Sequence, residues 1–355
     1  MKRQAWLDYM KFIAMSLVVF HHTPPRYNPA HEVGLIYVGM PMFFFAAGYL
    51  FKVAKEQNFF TFLRHRARKI LIPYTTFFVV FYALWLIIGR RMAGPEEMAI
   101  DPLLPLRQFI SGQPDVVVAP FWFLATMFTM QLIYYPIRRY LSGYWPFVVS
   151  LLLCLSLLVL PDVDWMRYWN FDRALLYMPL YAFGNCFKDL VNRFAFSSGS
   201  KPLAVAGEGQ ETLNPPCPLP LWLMLVCATV SMAFLIIAPV SMEPGLAYVL
   251  APEAAILFIP LYVALCKWLE ARFGPSRVAR NVAITGITFL GLQNYLIGIF
   301  KMLVAKLFGP GAMDETILWK FAIALVVMMI LYPLALFVDR YLPWMLGNPY
   351  KKNGR

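Results

Sequence analysis

Charge is what this sequence has least of. Only 14% of its 355 residues are Asp, Glu, Lys or Arg, while 60% are hydrophobic. A soluble protein of this length needs a largely polar surface and has nowhere to hide so much apolar side chain. Cysteine is also sparse. Cys154, Cys186, Cys217, Cys227 and Cys266 show no paired metal-ligand spacing, so no metal site is expected and free thiols are expected rather than disulfides. No small-x-small cleavage site follows the first apolar stretch, and Asp8 and Lys11 interrupt it, so it reads as a retained helix and not a removable leader. There is no internal repeat and no soluble domain. One all-α, polytopic membrane domain over residues 1–355 is the reading.

What the chain does have is apolar blocks near 20 residues long, the length a helix needs to cross ~30 Å of hydrocarbon. Ten spans are expected, roughly at 6–23, 34–52, 70–89, 119–137, 146–161, 171–188, 220–238, 248–266, 283–300 and 317–338. Ten spans place both termini on one side. With the N-terminus inside, most of the 31 Lys and Arg residues fall on cytoplasmic segments, although Lys301 and Lys306 fall outside. The same bias accounts for the net charge of +12 without nucleic acid, because the basic residues are scattered through short membrane-flanking loops. Residues 90–118 form a long external loop able to cover a site. Residues 189–219, rich in Gly, Ser and Pro, read as a flexible cytoplasmic linker.

Two features carry chemistry. In the first span, Asp8, Lys11, Met15, Val18 and His22 recur at spacings of three and four and share one helical face. Lys11 and His22 lie about three turns apart, ~16 Å along the axis, and His21 points ~100° away. Polar side chains within a span face cavities or pathways more often than lipid. The simpler alternatives are that Asp8 and Lys11 pair near the inner interface, with Lys11 snorkelling toward it, and that the two His mark the outer boundary. In the second feature, FLRHRARKILIPY (62–74), the basic residues crowd the inner end of the third span. They satisfy positive-inside topology and contact with anionic lipid, or they bind a phosphorylated cytoplasmic ligand through paired hydrogen bonds.

The blocks KFIAMSLVVFHH, FFFAAGYLF (43–51), RARKILIPY (66–74), PFWFLATMF (120–128) and LLYMPLYAFG (175–184) occur in an order and spacing that resembles the acyltransferase 3 family. ITGITFLGLQNYLIGIF (284–300) continues the likeness more weakly. These are integral membrane O-acyltransferases of carbohydrates and related acceptors. The family carries a basic residue, usually Arg, ten positions before a His in its first span. Lys11 and His22 match, with Lys for Arg, and the spacing selects His22 over His21. Its Arg-x-x-Arg pattern before the third-span Pro matches Arg66 and Lys69, again with Lys substituted. Both changes keep charge but lose the bidentate fork. An acidic residue that some branches place five positions after the fourth-span Trp is here Met127. No fused extracytoplasmic domain is expected.

The resemblance implies a multi-pass protein of the bacterial inner membrane that moves an acyl group, most often acetyl, from cytoplasmic acyl-CoA to a sugar hydroxyl of a glycan or lipid-linked saccharide. It binds no permanent cofactor; acetyl-CoA is a co-substrate. Membrane lipid is a partner, and oligomeric state is not readable. Arg66, Arg68 and Lys69 would hold the donor's phosphates, with the pantetheine arm beside the polar face of the first helix. His22 would act as general base, since a neutral imidazole titrates near pH 6.5 and can take a hydroxyl proton; a transient acyl-His is the variant. Asp8 lies ~21 Å along the helix from His22 and would hold Lys11 instead. Asn294, Tyr295 or Trp122 would stabilise the oxyanion, packing being the simpler role for the two aromatics. Two other classes fit parts of the pattern: a secondary transporter with an intramembrane His, Lys and Asp relay, and a non-catalytic subunit of a polysaccharide export system.

Overall fold

The computed structural model describes residues 3–23, 29–52, 58–92, 98–160, 164–193, 220–309 and 317–348. Among them the chain is 89% helix with no strands. Ten longer helices are α1 (Ala5–His22), α2 (Pro29–Leu50), α3 (Phe59–Leu84), α4 (Trp122–Tyr140), α5 (Trp145–Leu155), α6 (Phe171–Cys186), α7 (Leu221–Ser241), α8 (Pro244–Phe273), α9 (Arg277–Phe308) and α10 (Ile317–Tyr341).

Each expected span overlaps one of these helices, but their lengths differ. Among the described residues, five segments are long and apolar enough to cross a membrane: Phe59–Gly89, Asp115–Tyr140, Gly245–Phe273, Arg277–Phe308 and Leu318–Tyr341. Gly39–Leu50, Trp145–Leu158 and Leu221–Leu235 are apolar but shorter. The largest shift is in α3, expected from residue 70 and beginning at Phe59. Its first turns are too basic for a hydropathy window, yet Asn58 caps them by accepting from the Phe60 N–H at 3.3 Å. The basic cluster is therefore on the helix and not before it. Of the expected linker, residues 189–193 belong to a short helix, Lys188–Arg193, and the rest lies outside the described residues.

Helix α1 packs against α2, α8, α9 and α10, which makes it a central element. Its first N–H groups are capped by Glu270 at the end of α8, which accepts from Ala5 and Trp6 at 3.2 Å each. The Tyr9 hydroxyl donates to the Gly274 carbonyl at 2.8 Å, again joining the start of α1 to the end of α8.

Helices α2 and α6 cross in close contact. A Cβ on Gly48 would overlap the Tyr181 carbonyl oxygen, and one on Gly184 would overlap the Phe45 carbonyl oxygen. Small residues on both helices let the two backbones touch. At the end of that crossing Asn185 of α6 is buried and uses all of its hydrogen-bonding capacity. Its Nδ2 donates to the Gly48 and Phe51 carbonyls at 3.1 and 2.9 Å, closing the end of α2. Its Oδ1 accepts from the Tyr134 hydroxyl at 3.1 Å and Arg138 Nε at 3.0 Å, both on α4.

The segment between α3 and α4 is folded down over the bundle. A short helix, Leu104–Ser111, stacks Phe109 on Phe78 and Tyr74 with ring centres 4.2 and 4.9 Å apart. Tyr74 donates to the Phe109 carbonyl at 2.9 Å, and Tyr82 to that of Pro102 at 2.8 Å. This fixes the approach of residues 115–121 to the start of α4.

Candidate active site

The end of the bundle where α1 finishes encloses a cavity of about 350 Å³, within the range of small-molecule sites. Helices α1, α2, α4, α6, α8 and α9 all contribute to its lining. His21 and His22 come from the last turn of α1, with ring centres 5.2 Å apart and edge to face. Asp115 enters from the folded-down segment, Trp122 from the start of α4, Arg173 and Tyr177 from α6, and Tyr248 from α8.

The polar groups are positioned by packing. The Arg173 guanidinium lies over the Trp122 ring, 4.9 Å from its centre, and Trp122 stacks with Tyr177 at 6.1 Å. Arg173 and Asp115 attract each other across the cavity. Just before α6, Trp169 and Asn170 adopt positive φ of 52° and 49°, a conformation costing about 1–3 kcal/mol each for non-glycine residues. Three bonds hold it: Thr129 donates to the Trp169 carbonyl at 2.8 Å, Asn170 to that of Gly112 at 2.7 Å, and Gln113 to that of Arg167 at 2.6 Å. Gly112 has φ 81°, and a Cβ there would stand 2.7 Å from the Trp169 Cα. The strain thus sets where α6 begins, and with it Arg173.

The polar face of α1 turns inward. Asp8, Met15 and Val18 are buried, Lys11 and His22 partly so. Val18 and His22 line the cavity, while Met15 meets Gly286 of α9. Asp8 is not held by Lys11 as its partner. Arg3 donates to both of its carboxylate oxygens at 2.7 Å, and this pairing raises the Arg3 pKa above its ordinary value. A fork-shaped guanidinium five residues upstream outcompetes a point-charge ammonium one turn away. Lys11 remains within electrostatic reach of both groups.

Asn294 and Tyr295 line a smaller, adjoining space of about 180 Å³, which shares Asp115 and Ala119 with the main cavity. The Tyr295 hydroxyl donates to the Val117 carbonyl at 2.7 Å and its ring stacks on Phe81 at 4.0 Å, so its proton is already engaged. Arg66, Arg68 and Lys69 are at the opposite end of the bundle and point in different directions. Arg66 packs over the Phe62 and Phe51 rings at 5.3 and 5.6 Å. Lys69 donates to Asn348 Oδ1 at 2.5 Å, and Arg68 is exposed.

A family model for an acyltransferase domain matches residues 4–338, nearly the whole chain. The chain belongs to the acyltransferase 3 family. It is a membrane acyltransferase. No curated protein and no solved structure gives a significant match, so the family match alone carries the comparison. Sequence reasoning missed Asp115, Arg173 and Tyr177 as members of the site. Asp115 and Arg173 sit beside apolar blocks and Tyr177 within one, and Asp115 meets the other two only because the segment between α3 and α4 folds over the bundle.

Proposed function

We propose that this acyltransferase moves an acyl group, acetyl in the simplest case, from acyl-CoA to a sugar hydroxyl of a glycan or lipid-linked saccharide, with His22 as general base. The observation that carries the reading is the cavity itself. It puts an imidazole, a carboxylate, a tryptophan face and a guanidinium around a space that fits a thioester and one hydroxyl. His22 takes the hydroxyl proton as the oxygen attacks the thioester carbonyl carbon. The C–O bond forms, the C–S bond breaks, and the proton passes from His22 to the departing thiolate. Arg173, held over Trp122, supplies the donor for the oxyanion in place of Tyr295. Asp115 opposes Arg173 and orients it. The ten-span topology, both termini in the cytoplasm and placement in a bacterial inner membrane belong to the same proposal, supported by the basic residues gathered where α1 begins.

The test is transfer of labelled acetyl from acetyl-CoA to glycan in membranes carrying each variant at matched protein level. His22→Ala is expected to abolish transfer and His21→Ala to retain it. Near-wild-type transfer in His22→Ala removes the mechanism. Loss in His21→Ala with retention in His22→Ala moves the base to the neighbouring ring and overturns the assignment.

A further inference from the structure

The smaller space beside the His22 cavity is lined by Trp85, Asp115, Asn294 and Tyr295, with the backbone around Val117 closing it. Two of its polar side chains are unengaged. Among the described residues the Asp115 carboxylate makes no hydrogen bond or ion pair, and the Asn294 amide makes no hydrogen bond. Asp115 is exposed and Asn294 half-buried, so both can be reached by a ligand. Asp115 and Ala119 line the larger cavity as well, so an occupant of the smaller space borders the one beside His22.

The aromatic walls are held in place by the chain. Tyr295 is fixed by its bond to Val117 and its stack on Phe81. Trp85 opens a five-residue π-helical turn, Trp85–Gly89, at the end of α3. Such a turn inserts one residue and re-aims the side chains after a regular helix, and it occurs often at functional sites. A Cβ on Gly89 would stand 3.1 Å from Trp85 Cδ1, so glycine leaves room for the indole. The Arg90 guanidinium lies 5.3 Å from the Trp85 ring centre and donates to the Met98 and Ile100 carbonyls at 2.8 Å each. That ties the turn to the folded-down segment carrying Asp115.

The chemistry of these walls complements a polyol ring. An indole packs against the apolar C–H face of a sugar, a carboxylate accepts from its hydroxyls, and an amide both donates and accepts. A space of about 180 Å³, the volume of about six waters, suits a single ring. Asp115 is the one ionised side chain among the described lining residues, so a ring bearing an acid group would be repelled. We infer that this space is the acceptor subsite, holding one non-acidic sugar ring between Trp85, Asp115 and Asn294 while another hydroxyl of that ring meets His22. This rests on the proposed transfer to a sugar hydroxyl and adds which kind of ring is taken and which residues select it.

Kinetics of labelled acetyl transfer from acetyl-CoA test this, with purified full-length protein in lipid nanodiscs and glycan extracted from a strain lacking the protein. Asn294→Ala is expected to raise the glycan KM at least fivefold with the acetyl-CoA KM and the melting temperature unchanged, because its amide holds nothing in the protein. Trp85→Leu is expected to raise the glycan KM at least tenfold, and Trp85→Phe, which keeps an aromatic face, to recover part of the loss. If Trp85→Leu fails to fold, Asn294→Ala decides alone. Mass spectrometry of the product is expected to place the ester on a ring without carboxylate, sulfate or phosphate. An unchanged glycan KM in Asn294→Ala, or an ester on an acidic ring, overturns the inference and leaves the transfer reading standing. A rise in the acetyl-CoA KM with the glycan KM unmoved assigns the space to the donor and also overturns it. If the wild-type protein transfers no acetyl to this glycan, the transfer reading falls and the inference with it.

Discussion

Replacing Asn185 with Leu removes four hydrogen bonds while keeping the branched shape of the side chain, and its effect can be worked out group by group. The buried Tyr134 hydroxyl loses its oxygen partner and keeps only the Cys186 Sγ contact at 3.7 Å. The Gly48 carbonyl keeps the Phe51 N–H at 2.9 Å, the Phe51 carbonyl keeps Lys188 at 3.3 Å, and Arg138 can turn toward water in the cavity that it lines. One nearly orphaned hydroxyl at about 1–3 kcal/mol and one lost carbonyl bond at about 0.5–1.5 kcal/mol give roughly 1.5–4.5 kcal/mol. Greater burial of the apolar side chain offsets about 1 kcal/mol of this. The net loss, about 0.5–3.5 kcal/mol, is a sizeable share of a folded protein's margin of about 5–15 kcal/mol.

Each kcal/mol shifts the melting temperature by about 2 °C in a chain of this size or somewhat smaller. The expected fall for Asn185→Leu is therefore about 1–7 °C. Cys154 and Cys266 are buried free thiols, so a thiol-reactive fluorophore in a fixed detergent and at a fixed scan rate reports the transition. Asn185→Asp keeps both acceptor contacts and loses both donors to α2, so it should fall between wild type and Leu. A Leu variant that melts at or above the wild-type temperature refutes the argument that Asn185 clamps α2 to α4.

Other expectations follow from single contacts. Gly48→Ala and Gly184→Ala should each sharply lower the protein level in the membrane, because the added Cβ meets backbone and not a movable side chain; normal levels by immunoblot would contradict the α2–α6 crossing. Arg3→Ala should destabilise more than the double change Arg3→Ala/Asp8→Asn, since the single change leaves a buried carboxylate without its fork; equal melting temperatures would show that Lys11 takes over. Arg173→Lys should lower acyl transfer about tenfold at unchanged protein level, because it keeps the charge but loses the planar stack on Trp122; full activity would remove Arg173 from the oxyanion role.

The helical period made the face of α1 legible, because a 3.6-residue repeat needs no knowledge of neighbours. Composition made the all-helical membrane class legible for a similar reason. The partner of Asp8 was not readable: Lys11 and Arg3 were both within reach, and the choice turned on how the chain enters α1. The start of α3 was missed because hydropathy marks where a helix enters hydrocarbon and not where it begins. Asn185 carried no local signal at all. A single amide in LLYMPLYAFGNC looks like a tolerated polar residue, and its four bonds go to residues 47 to 137 positions away.

The fold holds α6 firmly at both ends. At one end, residues 169 and 170 take an unfavourable conformation that three hydrogen bonds to the 112–129 region keep in place. At the other, Asn185 ties the helix to α2 and α4. Between them Gly48 and Gly184 leave no slack against α2. A helix packed backbone to backbone cannot slide by half a turn without clashing, so the place of Arg173 and Tyr177 in the lining beside His22 is fixed by the chain and not by a ligand. A donor proposed to meet an oxyanion gains most from that, because it then needs no rearrangement at the moment of reaction.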